Sequence, residues 1–301
     1  LCIRDRLQMW FVKWIHRMWV LRFEVLAGTQ EILDQAVEGE FAVGAFNVYN
    51  LEGAKAVVQA AEQEHLPIII QIHPASILTG GQTLAALCLA AAREATVLVS
   101  VHLDHSDSED AIKASLTVGI RSVMADGSSL RFDRNVIFTR QCVKNVHSVG
   151  GFVEGELGRL SSTEHGLTIP EYEARYTNPE KASEFCIATG LDALAICIGN
   201  VHGKYLREPE LDFGRLSLIK ETVSVPLVLH GGSGLPESMV SRAIELGVRK
   251  LNVNTELRNA YLGSLRDSMS LNTPDITNVM DNAVEAMTSV VVKKIRLFAG
   301  K

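Results

Sequence analysis

The sequence predicts an α/β protein in which short buried strands alternate with helices. Eight apolar runs of four to seven residues recur after position 40, and this length and composition are typical of strands covered on both faces. A segment with helical periodicity follows each run, so strand and helix alternate about eight times. Because the pattern fits within 301 residues, it predicts a single-domain TIM (β/α)8 barrel of parallel strands.

The predicted strands and helices are spread evenly along the chain. The strands cover residues 41–46, 67–72, 97–103, 121–125, 151–157, 193–198, 226–230 and 250–253. The helical patterns cover residues 51–65, 83–95, 108–118, 134–149, 179–189, 213–223, 236–246 and 255–267. Asn178 is placed to cap a helix that begins at Pro179, and Pro236 opens another. A doubly wound open sheet is the alternative, but it usually has fewer strands and a glycine-rich first turn, which residues 44–47 lack.

Composition and charge exclude several functional classes. The chain is 47% apolar and 21% charged, with a formal net charge of −6, so it lacks the basic footprint of a nucleic-acid or anionic-membrane partner. No uninterrupted apolar run reaches the roughly 18 residues of a membrane span. Five scattered cysteines without a CxxC pair favour neither a disulfide framework nor a thiolate zinc cluster. We therefore expect a cytoplasmic protein without nucleic-acid or membrane partners.

Residues 1–22 differ from the rest and define a separate N-terminal segment ahead of a domain at 23–301. All three tryptophans and five Lys or Arg residues lie there, against one acidic residue. Trp10, Trp14 and Met18 follow helical spacing, which is typical of a basic amphipathic helix that docks or targets. A linker, a non-native leader or a fragment of a longer chain explains the same composition.

Three histidines close or follow predicted strands at the edge where a barrel of this kind carries its active site. They are His105, His202 and His230, and three imidazoles with an open fourth position suit a catalytic zinc ion. Strand alternation places His102 on the opposite face from His105. His102 is therefore predicted to pack or to support the site from behind.

Acidic and glycine-rich segments follow other strands. Asp126 ends the fourth strand, and either Glu154 or Glu156 ends the fifth, where a carboxylate can support zinc or hold a second cation. The segments HGGSG (230–234) and NVNT (252–255) follow strands seven and eight. Loops at those positions, next to helix N-termini, are typical phosphate sites.

Eight motifs together resemble the class II, zinc-dependent ketose-bisphosphate aldolases, which act on fructose or tagatose bisphosphate. The motifs are GAFN (44–47), HLDH (102–105), SVMAD (122–126), VEGELG (153–158), YTNP (176–179), HG (202–203), HGGSG (230–234) and NVNT (252–255). Their order and spacing agree with the family over roughly residues 26–301. The resemblance implies a TIM barrel and reversible cleavage of a ketose bisphosphate, or a related phosphorylated ketose, to dihydroxyacetone phosphate and an aldehyde.

The resemblance also implies roles for individual residues. His105, His202 and His230 would hold zinc, Asp126 and Glu156 would bind a second divalent ion, and Asp104 would be the proton donor to the aldehyde oxygen. Glu164 matches a loop glutamate that handles the C3 proton. The residues implied in substrate binding are Asn47, Gly203, Gly231, Gly232, Ser233, Asn252, Val253, Asn254 and Thr255. A homodimer or larger homo-oligomer is implied as well.

Two departures from the family pattern concern the aldehyde side of the site. The loop reads SSTEHG over 161–166, without the usual glycines before Glu164 or the acidic residue after it. His73 follows the second strand where the family usually has a serine-containing segment. These departures leave open an altered-specificity or non-catalytic aldolase-like module of a larger protein. A zinc hydrolase on the same barrel is the other alternative, although paired histidines are absent near residues 41–49.

Overall fold

The computed structural model describes residues 26–160, 175–203, 205, 208–270 and 275–301. Within these ranges the chain forms eight strands and ten helices. The N-terminal segment 1–22, Glu164 and the departures at 161–166 lie outside the described residues, so the expectations about them stay predictions. The division into 1–22 and 23–301 stays a prediction for the same reason.

The eight strands form one closed parallel barrel. They are β1 (Val43–Asn47), β2 (Ile68–Ile72), β3 (Val99–Ser106), β4 (Ser122–Ala125), β5 (Phe152–Leu157), β6 (Ala193–Ile196), β7 (Leu227–Leu229) and β8 (Val248–Val253). Each strand pairs with the next in sequence, and β8 pairs with β1, with Ala45 opposite Asn252. The predicted TIM barrel is confirmed. Predicted strand ends differ from the observed ones by two residues at most, except that β3 runs three residues further.

Ten helices surround and close the barrel. They are α1 (Thr29–Glu38), α2 (Leu51–Glu64), α3 (Pro74–Glu94), α4 (Glu109–Thr117), α5 (Phe132–His147), α6 (Pro179–Thr189), α7 (Phe213–Thr222), α8 (Glu237–Glu245), α9 (Thr255–Met269) and α10 (Ile276–Phe298). Asn178 caps α6 by accepting the Lys181 N–H at 3.0 Å. Helix α3 begins nine residues before its predicted start because Pro74 opens it and the His73 ring caps it.

Helix α3 is long and apolar enough, by length and composition alone, to cross a membrane. The sequence analysis did not predict this length of apolar helix, because Gly80, Gly81 and Gln82 interrupt the apolar run. Gly81 has φ 57° and ψ −158°, which breaks the helical geometry at that point. Helix α3 packs on β2 and β3, and Leu84 and Cys88 on it are buried. This packing is that of a core helix of the barrel.

The sequence patterns did not predict helices α1 and α10, because neither follows a strand as part of a repeat. Helix α1 closes the end of the barrel where the strands begin. Thr29 donates to the Ser122 hydroxyl at 2.6 Å, and Leu33 packs against residues on β4 to β7. Helix α10 covers α2, α9 and β1. With one end of the barrel closed by α1, the carboxyl ends of the strands remain to form a site.

Candidate active site

A cavity of about 500 Å³ opens at the carboxyl ends of the barrel strands. Its lining includes side chains at the ends of β1, β3, β5 and β8, together with residues after β2, β4, β6 and β7. Parallel strands all end at the same rim, so residues distant in sequence meet there. The sequence-based expectation that polar strand ends would converge therefore holds for the described residues.

His105, His202 and His230 meet at this cavity. Their ring centroids lie 4.7 Å apart for His105 and His202, 4.6 Å for His105 and His230, and 5.5 Å for His202 and His230. One ligand nitrogen from each ring lies within 4.8 Å of the other two. His230 is fully buried below the cavity, whereas His105 and His202 line it.

His105 reaches the cavity because the backbone of β3 is irregular there. The pairing of β3 with β4 shifts register between Leu103 and Ser106, and His105 itself has φ 42°. Such a left-handed conformation is rare for a residue with a side chain and re-aims that side chain. His102 lies in the regular part of β3, is fully buried and makes a 2.7 Å hydrogen bond with the Ser122 hydroxyl. The expected separation of His102 and His105 onto opposite faces is not observed, because the irregular backbone at His105 turns its ring inward, and His102 Nε2 lies 3.8 Å from Glu154 Oε2 beneath the site.

Asp104 is held at the cavity by two amides. Asn47 Nδ2 donates to one carboxylate oxygen at 2.8 Å, and Asn252 Nδ2 donates to the other at 3.3 Å. Asp104 is only 3% exposed. Burial alone would raise the pKa of Asp104, but His105 and His230 outweigh that effect and hold it well below its usual value. Asp104 is therefore an ionised carboxylate with a fixed orientation.

Asp126 and Glu156 form a second cluster on the other side of His105. His105 Nδ1 lies 2.8 Å from Asp126 Oδ2 and 4.0 Å from Glu156 Oε2. Glu156 Oε2 is buried without a hydrogen-bond partner among the described residues. Burial and the nearby Asp126 carboxylate raise the pKa of Glu156 well above its usual value. The ligand atoms of these three residues lie within 4.8 Å of one another, as a cation site requires.

Glycines and a helix N-terminus form the wall beyond the histidines. Gly203, Gly231, Ser233, Asn254 and Thr255 line this side of the cavity, with α9 beginning at Thr255. Gly231 has φ 68°, and a Cβ on it would lie 2.0 Å from the Val201 carbonyl oxygen. No other residue fits this turn without displacing the backbone.

Two predicted substrate-binding residues lie behind that wall. Gly232 donates its N–H to the Asn252 carbonyl at 2.9 Å, and Val253 is fully buried in β8. Their assignment to substrate binding stays a prediction.

Comparison with known proteins places this geometry in a family. Residues 27–301 match the family described as fructose-bisphosphate aldolase class-II. The chain belongs to the class II fructose-bisphosphate aldolase family. This assignment confirms the resemblance found from the eight sequence motifs, and it makes the protein an aldolase and therefore a lyase.

Solved structures of aldolases are similar over nearly the whole chain. The YdjI aldolase from Escherichia coli K12 is 32% identical with a TM-score of 0.80, over 91% of this chain and 97% of that one. A putative fructose-1,6-biphosphate aldolase from Coccidioides immitis is 34% identical with a TM-score of 0.84, over 90% and 95%. The fructose-bisphosphate aldolase from Campylobacter jejuni, at 22% identity and a TM-score of 0.73 over 90% and 96%, shares the fold.

Class II aldolases are generally zinc-dependent, and the donor set of this aldolase fits such an ion. A carboxylate only accepts hydrogen bonds, so Asp126 takes the N–H of His105 Nδ1. Glu154 takes the N–H of His230 Nε2 at 2.8 Å in the same way. The remaining nitrogens, His105 Nε2 and His230 Nδ1, then present lone pairs to each other across 2.9 Å. Two lone pairs at that distance require a cation between them.

The electrostatics of the histidines agree with this need for a cation. Burial alone would lower the pKa of His105, but Asp104 and Asp126 outweigh it and raise that pKa to about 10. Burial and the neighbouring rings hold the pKa of His202 well below its usual value. His202 is thus neutral, as a metal ligand must be. His105 is thus the ring of the three at which a positive charge is favoured.

Several cavity residues of this aldolase were not predicted to bind substrate. Asp107, Ser128, Ser129 and Arg159 line the side opposite the glycine wall, and His73, noted only as a departure from the family pattern, lines it too. Each of these residues follows a strand or lies in the loop after it. A search of the sequence a few residues beyond each predicted strand end would therefore have included them. The strand pattern by itself did not decide whether Glu154 or Glu156 lies at the site. Glu156 lines the cavity, whereas Glu154 lies beneath His230.

Proposed function

We propose that this protein is a zinc-dependent aldolase that reversibly cleaves a ketose bisphosphate to dihydroxyacetone phosphate and an aldehyde. The substrate is fructose 1,6-bisphosphate, tagatose 1,6-bisphosphate or a related phosphorylated ketose. The observation that carries this proposal is the placement of three histidines and the ionised Asp104 between a glycine-lined wall and a second polar wall. A metal, a proton acceptor and a phosphate site are what this cleavage requires.

His105, His202 and His230 are the residues that hold zinc in this proposal. When bound there, zinc supplies Lewis-acid chemistry by drawing electron density from a carbonyl oxygen of the ketose. His105 presents one nitrogen to His230 and the other to Asp126. Asp126 and Glu156 are therefore placed to hold a second divalent ion beside the first.

Asp104 is the group that moves a proton at the aldehyde oxygen. In cleavage its carboxylate accepts the proton of the C4 hydroxyl, and in condensation it returns that proton. Its low pKa keeps it ionised at neutral pH, and Asn47 and Asn252 fix its orientation. Glu164 is proposed as the base for the C3 proton on the basis of the family resemblance.

The glycine wall is proposed to bind the phosphate of dihydroxyacetone phosphate. Gly203, Gly231, Gly232 and Ser233 lie on or behind this wall, and residues 252–255 lead into the N-terminus of α9. Backbone amides and the partial positive charge of a helix N-terminus attract a phosphate group. The small phosphorylated sugar is the proposed partner, and homo-oligomerisation and a cytoplasmic location remain proposals. The free thiols of Cys88, Cys142, Cys186 and Cys197 agree with that location.

The test is a coupled cleavage assay with fructose and tagatose 1,6-bisphosphates before chelation, after chelation and after zinc is restored. We expect cleavage that disappears with chelator and returns with zinc. His105→Ala and His230→Ala should lose activity and bound zinc together. Asp104→Ala should lose turnover while it keeps its zinc, and full turnover by this variant contradicts the role of Asp104.

An altered aldehyde specificity is the second candidate, and His73 favours it. Its ring lies on the cavity wall with its centroid 6.1 Å from that of His105. If zinc is bound but neither bisphosphate is cleaved, dihydroxyacetone phosphate should be condensed with a panel of other aldehydes. Condensation with one of them assigns the altered specificity, and failure with all of them assigns a non-catalytic module.

A further inference from the structure

A buried ion pair lies directly beneath the proposed zinc ligands. Glu154 and Lys250 are both fully buried, and Lys250 Nζ donates to Glu154 Oε2 at 2.7 Å. The other oxygen, Oε1, accepts from His230 Nε2 at 2.8 Å. Burying two charges costs free energy that a simple apolar pair would not. The pair therefore calls for a role beyond filling the barrel.

The geometry indicates what the pair does to His230. With the Nε2 proton directed at Glu154, the lone pair of the ring is on Nδ1, which faces His105. Asn252 Nδ2 also lies 3.2 Å from His230 Nε2, but it is a donor group and cannot take that proton. Glu154 is thus the group that selects the tautomer, and Lys250 holds Glu154 so that its Oε1 stays on the ring.

We propose that Glu154 and Lys250 are positioning residues that keep His230 in the tautomer and orientation needed for metal binding. This inference rests on the proposed function, because it takes His105, His202 and His230 as the ligands. Carboxylates that hold a metal-ligating histidine in this way raise metal affinity by about 10- to 100-fold.

The two side chains depend on each other in a way that a double-variant experiment detects. In Glu154→Gln, Lys250 is still a hydrogen-bond donor and must donate to the oxygen of the new amide group. The amide NH₂ then faces His230 Nε2, which drives the ring proton to Nδ1 and blocks the ligand position. If Lys250→Met is added, the amide oxygen is free to turn toward His230 and accept the Nε2 proton again.

The experiment titrates Co²⁺, and Zn²⁺ in competition with a chromophoric chelator, into the full-length metal-free protein and its variants. We expect Glu154→Gln to bind Co²⁺ about 10- to 100-fold more weakly than wild type, with a changed d–d absorption spectrum. Glu154→Gln/Lys250→Met should bind more tightly than Glu154→Gln alone. Denaturant unfolding of each metal-free variant separates metal binding from folding.

Glu64→Gln is the matched control, since it breaks an ion pair with Arg296 on the outer helices and should leave Co²⁺ affinity unchanged. The inference is overturned if Glu154→Gln binds Co²⁺ as wild type does, or if the double variant binds no more tightly than Glu154→Gln. Should Glu154→Gln fail to fold, the charge-balanced Glu154→Leu/Lys250→Met variant, which leaves His230 Nε2 without this acceptor, is compared with wild type, and equal Co²⁺ affinities overturn the inference. Failure of the proposed zinc site is distinguishable, because wild type would then bind no more metal than His105→Ala, and failure of the cleavage reaction is measured separately in the coupled assay.

Discussion

Single backbone conformations decide which side chains reach the cavity. His105 adopts φ 42° at the irregular end of β3. Its ring therefore meets His202 and His230, instead of pointing away from Asp104 as regular alternation requires. Gly231 adopts φ 68° immediately after His230. At His105 the uncommon conformation is strained, and such strain is usually found at functional sites. Glycine adopts the positive φ of position 231 without that strain.

Replacing Gly231 tests the tight turn of the phosphate wall. In Gly231→Ala the new Cβ would lie 2.0 Å from the Val201 carbonyl oxygen, and φ would stay unfavourable. We expect a loss of about 1–3 kcal/mol in the free energy of unfolding, together with a raised KM for the phosphorylated substrate. Urea unfolding and steady-state kinetics measure these two effects.

The control for that substitution is Gly263→Ala in α9. No atom outside the helix backbone lies within 4 Å of a Cβ at this position. A helical alanine there should stabilise the protein by about 0.4–1 kcal/mol. If Gly231→Ala proves as harmless as Gly263→Ala, the turn does not need glycine.

Among the elements, α10 joins helices α2 and α9 to the first strand. Phe298, at its C-terminal end, is 1% exposed, and its carbonyl accepts the Ala42 N–H at 3.0 Å. Arg296 on the same helix donates two hydrogen bonds of 3.0 Å to the Glu64 carboxylate on α2. One helix outside the eight repeats thus ties the end of the chain to the start of the barrel.

Truncating Phe298 measures how much this packing stabilises the fold. Phe298→Ala should lower the free energy of unfolding by about 3–5 kcal/mol, since it leaves a cavity against β1. Ile276→Ala on the same helix removes a side chain that is 67% exposed and should change stability by no more than about 0.5 kcal/mol. Denaturant unfolding of the two variants compares them directly, and equal losses would show that α10 is not packed as described.

The Glu64–Arg296 pair makes a pH-dependent contribution to the free energy of unfolding, and the pKa shift of Glu64 gives its sign. The hydrogen bond from Arg296 lowers the pKa of Glu64 below its usual value of 4.5. A carboxyl group whose pKa is lowered by folding stabilises the folded protein at pH values above its usual pKa. This stabilisation is lost as the pH falls through the lower pKa of the folded state. Glu64→Gln should therefore lower stability near neutral pH, and only slightly, because the Arg296 side chain is exposed and solvent screens the pair.

The measurement for Glu64 is urea unfolding of wild type and Glu64→Gln at about pH 7 and at about pH 4. The difference between the two proteins should shrink as the pH falls. A difference that grows at the lower pH would show that Glu64 is not stabilised in its ionised form.

In the whole molecule, the closed barrel separates a stabilising end from a reactive end. Helix α1 covers the end where strands begin, and Thr29 joins Ser100 and Ser122 there. At the other end, carboxylates and imidazoles converge where the strands finish. Because those side chains come from strands far apart in sequence, an ion bound by them would hold the folded barrel together.

Zinc should accordingly stabilise the whole protein against unfolding. An ion that binds only the folded state contributes about 2.7 kcal/mol when its free concentration is 100 times Kd. We expect Tm of the metal-free protein to rise with added zinc, and no such rise in His105→Ala. His147→Ala, which alters an exposed histidine paired with Asp192, should keep the full shift. Loss of the shift in His147→Ala would place the stabilising ion elsewhere.

Local sequence patterns are enough to predict the barrel, the order of its strands and the rim on which its polar residues meet. Buried parallel strands are short apolar runs, and all eight end on the same side, so local patterns are sufficient to place His105, His202 and His230 at one rim. The eight motifs likewise identified the aldolase family before any contact was known.

The detailed arrangement of side chains at the rim depends on contacts between distant parts of the chain. The register shift that turns His105 inward depends on β4, and the role of Glu154 depends on Lys250, 96 residues away. Helices α1 and α10 also take their places from contacts with distant elements. The periodicity of apolar residues in the sequence indicates whether a residue is buried. Which group each buried polar atom contacts is determined by hydrogen bonds between distant strands.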